Sequence, residues 1–179
     1  SRKDLGIWLI NLPRDKARLT KMQSQLHGMG LSAQLSPAID GEAEKVKLLR
    51  KADSNAYVRN MGTPILPGKL GVFASHVSVW QAFLKSQYKV ALILEDDAVF
   101  HDGFLEALDT ALANHDLWDL LRFNKIRAKL PITQARLGHY KLNAYLGPFT
   151  GNAAYLIHRD IADRLSTGVW PQTRALDYE

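Results

Sequence analysis

Apolar positions along this chain fall into two periods. Residues 5–12 and 90–94 are short apolar runs of strand type. Leu19, Met22, Leu26 and Met29 instead recur at helical spacing. Pro13 is expected to open that helix in the first-turn position that proline tolerates, with Gly28 and Gly30 marking its end. A second short strand is expected at 33–36, followed by the turn-rich segment Pro37-Ala38-Ile39-Asp40-Gly41 and a short charged helix at 42–51. Residues 53–68 mix Asn, Gly and Pro with few periodic apolar positions and read as a loop. Leu70, Phe73, Val77, Trp80 and Leu84 predict a long helix that hands over to the strand at 90–94. Further on, the pattern predicts a helix at 103–114, strands at 117–123 and 152–158, and a last helix at 160–166. Strands alternating with helices imply an α/β fold with a mainly parallel central sheet flanked by helices. With no repeat, low-complexity tract or linker, residues 1–179 read as a single domain.

The strand at 90–94 delivers consecutive carboxylates, Glu95, Asp96 and Asp97. Alternate residues at a strand end point the same way, so Glu95 and Asp97 face one site while Asp96 points elsewhere. Hard divalent cations take oxygen ligands and commonly use one or two carboxylates plus substrate phosphates. Ligands of open α/β sheets also bind beyond the carboxyl ends of the strands. The competing reading is an acidic turn that caps the next segment. These residues by themselves leave both open.

Composition narrows the partners. A chain of 179 residues, 46% hydrophobic, can bury a substantial core. No apolar stretch approaches the length needed to span a bilayer, and the polar start Ser1-Arg2-Lys3-Asp4 has no signal-peptide pattern after it, so a soluble, cytoplasmic protein is expected. The absence of cysteine excludes disulfides, thiolate metal sites and a cysteine nucleophile. The formal charge of +5 favours a polyanionic partner. Arg122, Lys125, Arg127, Lys129, Arg136 and Lys141 fall in the stretch 122–141, which holds no Asp or Glu. That stretch is either a solvated loop interrupted by Pro131 or a phosphate-engaging surface. It carries no nucleic-acid recognition signature, so no nucleic acid is expected as partner.

Several ordered segments together resemble glycosyltransferase family 25, which includes bacterial lipooligosaccharide glycosyltransferases and collagen galactosyltransferase domains. They are Ile10-Asn11-Leu12 with Arg14 and Arg18; Ala38-Ile39-Asp40-Gly41; Gly68 and Gly71 before Ser75-His76 and Trp80; Leu94-Glu95-Asp96-Asp97; Gly151 to Tyr155-Leu156-Ile157; and Asp177. The set covers nearly the whole chain. The resemblance implies a GT-A-type, Rossmann-like nucleotide-sugar-binding fold. It further implies inverting, metal-dependent transfer of galactose or glucose from a UDP-sugar to a saccharide or glycolipid acceptor in lipopolysaccharide biosynthesis. The acidic triplet then takes the role of the acid-any-acid metal motif, with Mn2+ or Mg2+ on Asp97 and Glu95, Glu95 near the metal or the ribose, and Asp96 partly structural. The chain stops two residues after Asp177, where members of the family usually continue, so it reads as a compact member, a truncated domain or a remnant with weak or lost transfer.

Residue by residue, the expectations carry alternatives. Asn11, at a strand end, is a nucleotide-binding candidate or a capping turn residue. Arg14 and Arg18 either meet a phosphate or base, or form the solvent face of the first helix. His76 lies beside the apolar stripe and is either a packed core histidine or a group that orients the donor or an acidic residue. Trp80 reads as core, and Asp40 as a turn near the donor. An inverting transfer needs a general base; Asp177 matches the late family aspartate and is the first candidate, with Asp160 and Asp163 behind it. His158 is weighed as an added metal ligand against a lone packed histidine. The 122–141 stretch suggests peripheral contact with acceptor phosphates or with the anionic inner face of the bacterial membrane. Two other functions stay in view, a nucleotide-sugar-binding domain without transfer and a magnesium-dependent phosphoryl hydrolase.

Overall fold

A computed structural model describes residues 2–124, 126–147 and 149–178. Ser1 and Lys125, both named above, lie outside the described residues. In chain order the elements are β1 (Leu5–Asn11), α1 (Lys16–Gly28), β2 (Gln34–Pro37), α2 (Lys45–Leu49), α3 (Ser54–Met61), α4 (Pro67–Leu84) and β3 (Val90–Glu95). They continue with α5 (Phe104–Ala113), β4 (Leu120–Arg122), β5 (Pro131–Leu137), β6 (Tyr140–Tyr145), β7 (Ala154–His158) and α6 (Arg159–Gly168). The main sheet is five-stranded in the order β2-β1-β3-β7-β4. β2, β1 and β3 run parallel, and β7 runs against both β3 and β4. This is the α/β, GT-A-like architecture, with one reversed strand beside the central one.

The period-two alternation of β1 sorts its side chains to two cores. Leu5, Ile7 and Leu9 join Met22 and Leu26 of α1, Leu92 and Leu94 of β3, and Leu108 and Leu112 of α5. Trp8 and Ile10 join Phe73, Val77, Trp80 and Phe83 of α4, together with Ile93 and Tyr155. Covered on both faces, β1 is buried along its whole length, which is why its sequence reads as an almost unbroken apolar run. The last turn of α4 is closed by Arg159, whose guanidinium donates to the carbonyls of Phe83, Leu84, Ser86 and Tyr88; a cation there satisfies orphan carbonyls and complements the helix dipole.

Four expectations need correction. Pro13 sits in a turn and α1 begins only at Lys16, because Asp15 N bonds back to Leu12 O and closes that turn first. The charged helix at 42–51 is a single short segment over 45–49. Residues 53–68 are not a loop throughout: Asp53 accepts from Ala56 N and caps α3, while Gly62, at φ +72°, ends it. The basic stretch is not an irregular loop either, since β5 and β6 pair as an antiparallel hairpin with a register shift between Thr133 and Ala135.

Loop 37–41 is fastened to the start of α4. Ser75 Oγ accepts from Ile39 N at 2.8 Å and donates to Gly71 O at 2.7 Å. A Cβ on Gly41 would stand 1.8 Å from Pro67 O, and one on Gly71 would stand 2.6 Å from Ile39 O. Both obstacles are backbone, so only glycine permits this approach. The loop is thereby held over the carboxyl ends of β1 and β3.

Candidate active site

Beyond those strand ends lies a cleft of about 310 Å³. Its walls include Arg14 and Arg18 from the first turn and helix, Asp40 from the fastened loop, His76 from α4, and Glu95, Asp96 and Asp97. The parallel register, with Leu9 opposite Leu94 and Ile10 opposite Glu95, brings Asn11 beside the acidic triplet.

The three carboxylates are provided for differently. Glu95 Oε1 lies 2.9 Å from His76 Nε2. Asp96 receives Asn11 Nδ2 at 2.6 Å and Arg18 Nη1 at 3.3 Å. The same Asn11 amide donates to Asp15 O at 3.1 Å, so both of its hydrogens are spent inside the protein. Asp97 has no partner side chain among the described residues. Its carboxyl is held above the usual aspartate range by desolvation first, then by Glu95 and Asp96, with Arg18 opposing. Arg14 forms an ion pair with Asp40. Asp40 is held below the ordinary carboxylate value by the backbone N–H of Glu42 first, with Ala43 N and Arg14 adding to it against desolvation.

His76 is buried, and its protonation follows from donor counting. Trp80 Nε1 donates to Tyr155 Oη at 2.9 Å, and Tyr155 Oη lies 2.8 Å from His76 Nδ1. An indole N–H can only donate, and among the described residues His76 Nδ1 is the acceptor in reach of the phenol's own hydrogen, so donation to Nδ1 satisfies every group of the buried chain. Burial drives the Tyr155 phenol well above its ordinary value, which keeps that hydrogen in place. His76 is therefore the Nε2–H tautomer and donates to Glu95. The chain Trp80–Tyr155–His76–Glu95 runs from the core to the cleft and fixes one carboxylate. Tyr155 was legible only as a late apolar segment, and its role appears only once β7 is placed beside β3.

Asp177 stands at the same end of the sheet. Its Oδ1 accepts from Gly151 N at 3.4 Å and from the Asn152 amide, and Glu95 N donates to Ala153 O at 2.9 Å. Oδ2 takes no hydrogen bond from any described residue. His158, Asp160 and Asp163 are at the opposite end: β7 runs antiparallel, so His158 pairs with Val90 at the start of β3. His158 bonds His115 O at 3.0 Å and packs on Trp118. It is a packed histidine, the alternative the sequence already carried for it, and strand direction places Asp160 and Asp163, the reserve base candidates, at that far end too.

Among the described residues no three His, Asp or Glu side chains converge into a complete metal cage. The donor set nevertheless fits a hard cation whose remaining ligands come from a substrate. It offers one unpartnered carboxylate, Asp97, beside a second, Glu95, that keeps a free oxygen, in a cleft that also presents arginines. No described helix is long and apolar enough to cross a membrane.

Comparison with known proteins adds a lineage. Residues 4–177 match the family described as "Glycosyltransferase family 25 (LPS biosynthesis protein)". A "Glycosyltransferase 25 family member" of Anopheles gambiae is 31% identical over 137 residues, covering 68% of this chain and 22% of the relative. "Procollagen galactosyltransferase 2" of Homo sapiens is 28% identical over 132 residues, covering 69% of this chain and 21% of the relative. A "Probable inactive glycosyltransferase 25 family member 3" of Rattus norvegicus is 26% identical over 132 residues, covering 64% and 22%. The chain thus spans about a fifth of the length of these curated relatives.

Proposed function

The chain belongs to glycosyltransferase family 25, and we propose that its cleft binds a nucleotide sugar, with a divalent cation, for inverting transfer of a hexose to a saccharide acceptor. The observation that carries the reading is the unpartnered Asp97 at the carboxyl end of β3, with Glu95 fixed beside it by His76. Asp97 and Glu95 would hold Mn2+ or Mg2+, which supplies charge neutralisation at the departing diphosphate. Arg14 and Arg18, both at the mouth of the cleft, attract the same phosphates, and Asn11 keeps Asp96 in place for Arg18.

As the acceptor oxygen bonds to the anomeric carbon, the bond from that carbon to the diphosphate oxygen breaks, and UDP leaves with the electron pair. The acceptor hydroxyl proton goes to Asp177 Oδ2, while Oδ1 stays anchored by Gly151 N and Asn152. Galactose is the favoured sugar because a human relative carries that activity in its name; glucose is the alternative. A lipopolysaccharide acceptor follows from the wording of the family description. The exposed cations Arg127, Lys129 and Arg136 of the hairpin region would bring the chain to an anionic membrane face. A reading as a binding domain without transfer is favoured by one observation, the relative named probable inactive.

Calorimetry with a panel of UDP-sugars, with and without manganese, tests the proposal on the wild type and Asp97→Asn. Metal-dependent binding is expected in the wild type, with a loss of about tenfold or more in the variant. Undiminished metal-dependent binding in Asp97→Asn would sink this placement of the cation. Donor binding without any transfer or donor hydrolysis across saccharide acceptors selects the binding-domain reading.

A further inference from the structure

A second, larger cavity of about 580 Å³ lies between β4, α5 and the β5–β6 hairpin. Arg122, Asn124, Tyr140, Lys141, Tyr145 and Phe149 line it, and no described Asp or Glu does. Arg122 donates from Nη1 to Phe149 O at 3.2 Å and lays its guanidinium 5.0 Å over the Phe149 ring. Its Nε is buried without a hydrogen-bond partner among the described residues. Among the described residues no carboxylate closes an ion pair with it. Burial pulls the guanidinium below its ordinary value, with Asp177 opposing. A half-buried cation that closes no ion pair, with Asp177 acting on it only at a distance, is left with part of its charge unanswered, and a ligand that brings an anion answers it.

Two further observations define the ligand. Lys141, exposed at the rim of the cavity, stands directly opposite Arg136, which does not line it, in the hairpin register; like charges so placed repel, and an anion brought near Lys141 is favoured. Tyr145 and Phe149 present rings 4.9 Å apart between centroids, a platform suited to the apolar face of a sugar ring. The volume is that of a small-molecule site rather than of a bare anion. The cavity also adjoins the site already described. Asn124 packs against Gly151, where a Cβ would meet its Nδ2 at 2.5 Å, and Gly151 N holds Asp177.

We propose that this cavity is a subsite for an anionic saccharide, a sugar bearing a phosphate or a carboxylate, with the anion on Arg122 and the ring against Tyr145 and Phe149. As the acceptor side of the transfer, it rests on the function proposed above.

The test uses the full chain, calorimetry and amide NMR, with glucose 6-phosphate, glucuronate, glucose and inorganic phosphate as probes. Wild type, Arg122→Gln and Lys141→Glu are compared, and UDP with manganese is titrated in parallel. The better of the two charged sugars is expected to bind about tenfold tighter than glucose or inorganic phosphate, and which of the two it is identifies phosphate or carboxylate as the anion. Arg122→Gln should reduce that affinity to the level of glucose. Lys141→Glu, a change at an exposed position that leaves the fold intact, should weaken it about threefold. Equal binding of charged and neutral sugars, inorganic phosphate binding as tightly as the sugars, or undiminished affinity in both variants would overturn the inference. If UDP binds while no charged sugar does, this subsite falls and the donor reading stands. If a charged sugar binds as expected and UDP does not, the donor reading falls.

Discussion

Tyr155→Phe isolates the buried relay behind Glu95. The substitution removes one oxygen from the core and leaves the ring, so no cavity beyond the hydroxyl opens. It strands two groups at once: Trp80 Nε1 loses its acceptor and His76 Nδ1 loses its donor. A buried polar group left unsatisfied costs about 1–2 kcal/mol here, so the pair costs about 2–4 kcal/mol. At about 2–4 °C per kcal/mol for a chain of this size, the melting temperature should fall by roughly 4–16 °C.

Thermal unfolding followed by circular dichroism reads that shift. A fall of under about 2 °C would refute the donor count. A double variant sharpens the test. Trp80→Phe deletes the stranded donor, so Trp80→Phe with Tyr155→Phe should be less destabilised than the sum of the single variants by about 1 kcal/mol or more. Nitrogen NMR of the wild type should show His76 protonated on Nε2, and Tyr155→Phe should erase that exclusive tautomer. Strict additivity together with an Nδ1–H histidine would mean that Glu95 is held by some other interaction.

Three other outcomes follow from the geometry. Gly71→Ala forces a Cβ against Ile39 O and Gly41, and should destabilise by about 1–3 kcal/mol by overpacking and weaken UDP binding, both readable in one thermal-shift titration. Asn11→Ala frees Asp96 from its 2.6 Å partner and should raise the KM for the donor more than it lowers kcat, measured by steady-state transfer. Asp97 titrates above its ordinary value in the folded chain, so its contribution to stability is complete below the unfolded aspartate value of about 3.9 and is lost as pH rises through the folded value. Asp97→Asn should therefore melt higher than wild type at pH 7 without ligand, with the difference closing below about pH 4; melting curves across pH check the sign.

What the chain discloses in advance depends on how local each cause is. The runs at 5–12 and 90–94 and the helical stripe from Leu70 to Leu84 are set by burial along one element, and β1, β3 and α4 appear where those patterns place them. Asp53 and Gly62 did carry a local signal, an N-cap followed by a left-handed glycine, but the scarcity of periodic apolar residues in so short a helix outweighed it. The hairpin β5–β6 alternates weakly because most of it is exposed, so no buried face wrote its period into the sequence. Strand direction is a non-local property. His158 and Asp177 follow equally plausible strand or turn signals, and only the antiparallel setting of β7 sends the first to the far end of the sheet and leaves the second, on Gly151, at the end where the carboxylates lie.

The acidic triplet shows why position in a motif does not decide role. A strand end presents Glu95, Asp96 and Asp97 in turn, and alternation alone makes Glu95 and Asp97 equivalent. The surroundings break that equivalence. Glu95 receives a hydrogen from buried His76, which fixes its orientation. Asp96 is engaged by an amide and an arginine, so its charge is already answered. Asp97, exposed at the cleft, has its charged form disfavoured by partial desolvation and by both neighbours, a cost that stability alone would remove by substitution to asparagine. Retaining a carboxylate there makes physical sense where a ligand cation repays it, which makes the apo stability of Asp97→Asn and its loss of metal-dependent nucleotide binding two readouts of the same charge. A variant that lost binding without gaining stability would instead make Asp97 a structural acid, and the cation would then have to be sought at Glu95 alone.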